Sequence, residues 1–143
     1  MTPQAATLAV EYGGDGAAHS AQLLTPNLIA QADLVVTATR GHRSAVVSMY
    51  PKSTRYTFTL NQLARLTVGA SADPAPNRPA TITSFIEAIA ASRGLTPPPL
   101  DAGEDDIEDP YRQSAAVYAR AAASIDAAVT TIATGITVFI GKR

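Results

Sequence analysis

The sequence predicts an α/β domain built on a parallel sheet. Residues 33–39, DLVVTAT, form a continuous apolar run rich in β-branched side chains, the composition of a strand buried on both faces. Residues 55–60, RYTFTL, form a second strand, and helical patterns lie before, between and after the two. The chain of 143 residues has the length of one domain and is 46% apolar, enough to bury a core.

The elements follow in order. Residues 2–12 read as a helix, with Thr2 as cap, Pro3 at the first helical position and Gly13–Gly14 as the stop. A loop carrying His19 leads to a second Thr-Pro start and a short helix over 25–32. After strand 33–39 comes a helix over 40–50 with Val46, Val47 and Tyr50 inward, ended by Pro51. In strand 55–60, Tyr56, Phe58 and Leu60 alternate with Arg55, Thr57 and Thr59, which predicts one wet face and an edge position. A short helix over 61–68 and a Pro-rich loop over 69–79 follow. Ile82, Phe85, Ile86, Ile89 and Ala90 mark the inner face of a helix over 80–93. A second loop, 95–109, is Pro-rich and then acidic, and the last helix is expected to start at Pro110 with a stripe running from Tyr118 to Ile132.

Composition narrows the function. The net charge is −1 and no Lys/Arg run exceeds two residues, so nucleic acid is not an expected partner. The chain has no cysteine, which removes disulfides, thiolate metal sites and a thiol nucleophile, and which fits a cytoplasmic protein. No N-terminal basic-then-apolar leader is legible. Residues 127–140 are uncharged but interrupted by threonines and a glycine, and fall short of the roughly 20 residues that span a bilayer, so no membrane is expected. His19 and His42 have no further ligands at metal spacing, and the acidic run from Asp101 to Asp109 lacks the pattern of a calcium loop; it reads as a solvated loop. Neither a metal nor a cofactor is expected.

The predicted sheet is short of strands. Strand 33–39 has the composition of a central strand, yet the sequence offers it one partner. An apolar edge left open in this way predicts self-association.

Three stretches together resemble the low-molecular-weight protein tyrosine phosphatases: AHSAQLLTPNLIAQADLVVTAT over 18–39, RGHRSAVV over 40–47, and DIEDPYRQSAAVYARAAASID over 106–126. The Asp-Pro-Tyr triplet, Asp109 to Tyr111, is the most specific of them, and the resemblance extends over residues 2–132. It implies a flavodoxin-like sheet of four parallel strands flanked by helices, the first strands being missing from this chain, so that residues 1–143 form one N-terminally incomplete domain. The resemblance further implies that a first strand, running into a phosphate loop with a nucleophilic Cys and an Arg, belongs beside strand 33–39.

By the same resemblance Asp109 is the general acid that protonates the leaving phenol, Tyr111 lines the mouth of the site against phosphotyrosine, and His19 braces the phosphate loop. The implied substrates of a completed domain are a phosphotyrosine protein or a small aryl phosphate. Arg112 stands where many members carry a second aromatic, and Thr39 where some carry an Asp. Without Cys and Arg of a phosphate loop, the chain as written is expected not to hydrolyse phosphotyrosine. A non-catalytic binding relative, or half of a split domain, are the alternatives.

Overall fold

A computed structural model describes residues 2–15, 20–69 and 81–141. The order is α1 (Pro3–Glu11), α2 (Pro26–Gln31), β1 (Val35–Thr37), α3 (Arg40–Met49), a 3-10 turn (Pro51–Arg55), β2 (Thr57–Thr59), α4 (Leu60–Gly69), α5 (Ile82–Ser92), a second 3-10 turn (Ala102–Asp105) and α6 (Ala115–Gly141). The fold is mixed α/β: among the described residues, β1 and β2 form a two-stranded parallel sheet, with Val36 opposite Phe58, and helices flank it.

The helix starts obey local chemistry. The hydroxyls of Thr2, Thr25, Thr39 and Thr81 accept from backbone N–H groups of the first turns of α1, α2, α3 and α5, relieving donors that have no partner inside the helix. Gly13 ends α1 with φ of 80°, a conformation cheap for glycine alone. The core is one cluster around Phe58, Leu63, Leu66, Phe85, Ile89 and Phe139, closed by the edge-to-face pair of Phe85 and Phe139 with ring centroids 5.5 Å apart.

Three features differ from the sequence reading, and a fourth concerns residues 133–141, whose conformation the sequence leaves open between helix and strand. First, β2 has no wet face: Thr57 and Thr59 are 0% and 1% exposed. Their hydroxyls are satisfied locally, Thr57 Oγ1 donating to the Ser53 carbonyl and Thr59 Oγ1 accepting from Gln62 N–H, so α3 can pack over them without stranding a polar group. Second, β1 is not buried throughout: Val36 is 44% exposed.

Third, α6 starts at Ala115 instead of Pro110. Residues from Pro110 form a turn, with Gln113 N–H on the Pro110 carbonyl and Arg112 at φ of 59°, and helical bonding begins only at the Ser114 carbonyl. Fourth, α6 runs on to Gly141, because Ile132, Ile136, Phe139 and Ile140 continue its inner face into the core. Thr131 and Thr137 stay helical by donating to the carbonyls four residues back.

Gly135 permits the closest approach of α6 to α4: a Cβ there would lie 2.1 Å from Thr67 Cγ2. Among the described residues, α6 is the one helix long and apolar enough to cross a membrane, and its C-terminal half is packed against α4 and α5.

The two edges of the sheet are treated differently. The Tyr56 carbonyl accepts from Val35 N–H and so faces β1; alternation turns the Thr57 carbonyl to the outer edge. Two arginines meet it there, Arg43 Nε at 3.0 Å and Arg93 Nη2 at 2.6 Å, while Arg93 Nη1 takes the Thr54 carbonyl at 2.5 Å. The Arg93 guanidinium also lies 3.8 Å over the Phe58 ring. Burial, and then the charge of Arg43, lower its pKa to about 10. On the far edge of β1 no strand pairs among the described residues.

Candidate functional site

The Asp-Pro-Tyr loop sits at the carboxyl end of the sheet. Ile107 is buried, and its N–H donates to the Ala38 carbonyl just past β1 at 2.8 Å. Three acidic neighbours then clamp the loop to three helices. Asp105, 7% exposed, takes Arg65 of α4 at 3.0 Å. Asp106 accepts from both the backbone N–H and the guanidinium of Arg40 at the start of α3, at 2.7 and 3.1 Å. Glu108 pairs with Arg120 of α6 at 2.9 Å. Asn61 Nδ2 adds a bond to the Glu104 carbonyl.

The acidic run is therefore not simply a solvated loop; three of its charges are matched by guanidiniums. The hydrogen bonds from the Arg40 side chain and backbone lower the Asp106 pKa below the ordinary carboxylate range. The Arg40 guanidinium is raised correspondingly, first by its hydrogen bond to Asp106.

Asp109 is exposed at the tip of this clamped loop. Its Oδ1 accepts from Tyr111 N–H at 3.0 Å, an Asx turn that fixes the carboxylate beside Pro110 and leaves Oδ2 without a hydrogen bond among the described residues. The bond belongs to a turn and caps no helix. Tyr111 is 56% exposed, and its ring lies 5.1 Å from the Arg112 guanidinium carbon. Arg112 thus covers the tyrosine as a cation. His19 lies outside the described residues, so Asp109 and Tyr111 are brought together while the third expected residue has no described position. No group of acidic or histidine side chains among the described residues has metal-site geometry.

An apolar cleft of about 400 Å³ borders the loop, between α1 and α6; Leu8, Tyr12, Pro110, Tyr118, Ile125 and Val129 line it. Thr2 Oγ1 and Tyr118 OH are hydrogen-bonded at 3.0 Å across the same pair of helices.

Sequence reasoning missed Arg40, Arg65, Arg120 and Asn61, the residues that hold the acid loop. Arg40, Arg65 and Asn61 lie 40 or more residues from their partners, and Arg120 lies 12 from Glu108 across a turn, so no short-range pattern joins them. The local signal was the acidic run itself: carboxylates packed this closely repel one another unless cations are brought to them.

No family model matches the chain, and neither a curated protein nor a solved structure matches it.

Proposed function

We propose that this chain carries the acid half of a low-molecular-weight tyrosine-phosphatase domain, the nucleophilic half being supplied by a segment outside this sequence. In that reading the fold is a flavodoxin-like parallel sheet completed on the open side of β1. Asp109 protonates the leaving phenol and then activates water, and Tyr111 contacts the aromatic ring of the substrate. His19 supports the absent loop.

The observation that carries the reading is the bond from Ile107 N–H to the Ala38 carbonyl. It ties the Asp-Pro-Tyr loop to the carboxyl end of β1, the strand whose other edge has no partner among the described residues. Ligands of open α/β sheets bind outside the carboxyl ends of strands, where neighbouring connections diverge. An exposed carboxylate held there is in position to move a proton, but the chain has no cysteine to attack phosphorus.

The test is the translated frame upstream of Met1, followed by expression of the extended chain. The expected segment is an apolar strand leading into Cys, five residues and Arg. In the extended chain, Asp109→Asn should slow aryl phosphate hydrolysis by roughly 10²–10⁴-fold. The loss should be smaller for phenols that leave without protonation. Equal rates for both proteins would remove Asp109 from the chemistry.

A further inference from the structure

The contrast between the two sheet edges carries an inference of its own. The outer edge of β2 is closed by Arg43 and Arg93 on the Thr57 carbonyl, as natural edges commonly are by charged side chains. Among the described residues, the outer edge of β1 has no such cover. Val35 N–H faces β2, so alternation directs the backbone N–H and carbonyl of Val36 outward, and the Val36 side chain is itself 44% exposed.

The ends of this edge carry groups of opposite sign, Arg40 spending Nε and Nη2 on Asp106 and keeping Nη1 for a further acceptor. Asp33, exposed and without an ion pair among the described residues, precedes β1; Arg40, its side chain 50% exposed and bound only at Asp106, follows it.

We propose that the chain as written forms a two-fold dimer in which β1 pairs antiparallel with β1 of a second copy, Val36 opposite Val36. Antiparallel pairing brings the Asp33 end of each strand to the Arg40 end of the other, twice by symmetry, whereas a parallel arrangement would align like charges. Leu34 then lies opposite Ala38, which keeps the apolar positions in register. The pairing makes a four-stranded sheet with β2 at both margins. Because each margin is closed by its two arginines, addition stops at two copies instead of continuing as a fibre.

The dimer stands on the sheet alone and does not depend on the phosphatase reading. A strand delivered from outside this sequence would occupy the same edge, so the extended chain is expected to be monomeric.

The absence of native cysteine makes the test direct. Light scattering on the chain as written should give twice the monomer mass. Val36→Cys should be joined between copies by a short bis-maleimide, because directly opposed Cβ atoms lie about 4.5–5.5 Å apart, within that reagent's reach but wider than a relaxed disulfide. Ser48→Cys, exposed on α3, should not. Asp33→Lys, which alters an exposed residue outside the strand, should weaken the dimer several-fold and make it less tight at low salt than the parent.

A monomer at micromolar concentration would overturn the proposal. So would an assembly larger than two, or cross-linking at position 48 as fast as at position 36. Failure of the extended chain to hydrolyse an aryl phosphate would sink the phosphatase reading and leave the dimer untouched.

Discussion

Replacing Gly135 by alanine sets two effects of known sign against each other. Alanine in a helix interior is favoured over glycine by about 1 kcal/mol. The new Cβ, however, would stand 2.1 Å from Thr67 Cγ2, where carbon atoms need about 3.5–4.0 Å. Relief by turning the Thr67 side chain would give up its hydroxyl bond to the Leu63 carbonyl, 2.8 Å long and buried. Relief by moving α6 away from α4 would loosen Phe139 against Phe85. Overpacking of this kind costs about 1–3 kcal/mol, so the net change should be a loss of up to about 2 kcal/mol.

The decisive comparison uses Thr67→Ser, which removes the offending methyl and keeps the hydroxyl. In that background Gly135→Ala should be neutral or stabilising by up to about 1 kcal/mol. Circular-dichroism melts of the four proteins read the cycle, and a coupling of about 1–3 kcal/mol is expected. Simple additivity, or a higher melting temperature for Gly135→Ala in the parent, would show that α4 and α6 are not in the contact on which the reasoning rests.

Two further outcomes follow from the ion pairs and one from the arginines on the sheet edge. Arg65→Ala should cost about 3 kcal/mol in a urea titration, the low end for breaking a buried pair, because Asp105 is left enclosed while the arginine is a quarter exposed. Asp106 has a lowered folded-state pKa, so its contribution is fully present above the ordinary carboxylate pKa of about 3.9 and is lost as pH falls through the folded value. The stability gap between the parent and Asp106→Asn should therefore be constant at neutral pH and close in acid, as read by melts from pH 7 to 2.5. Arg93→Met leaves Arg43 alone on the Thr57 carbonyl, and should turn the dimer into larger assemblies on size-exclusion chromatography.

Much of the fold could be read from the chain because its signals are local. The four threonine caps lie one residue ahead of α1, α2, α3 and α5, and their hydroxyls act on the turns that follow. The misreadings come from short-range bonds that the residue pattern does not announce. Alternation in 55–60 is ordinarily a sign of one wet face, yet the hydroxyls of Thr57 and Thr59 find neighbours within four residues and can be buried. The helix was expected at Pro110 because Asp-Pro is a good start; the Asx turn at Asp109 and the positive φ of Arg112 delay it to Ala115. The threonines and glycine of 130–137 weaken the helical pattern on paper, but Gly135 is there to admit Thr67.

The candidate site divides along the same line. Asp109 and Tyr111 are adjacent in sequence and could be singled out together; the arginines that hold their loop could not. Their arrangement has a chemical meaning. In the proposed reading Asp109 is a general acid, useful only where its proton reaches the leaving atom, and a mobile loop would spread its carboxylate over many positions. Here Ile107 fixes the loop to β1, while Asp105, Asp106 and Glu108 fix it to α4, α3 and α6. A surface loop serving only as a connection would have no need of three ion pairs to three different helices. Exposed pairs such as Glu108–Arg120 contribute little stability, about 0–1 kcal/mol each, whereas the enclosed Asp105–Arg65 pair supports the fold as well as the loop. The Asp109 carboxylate is thereby carried on a loop tied at four points beside the carboxyl end of β1.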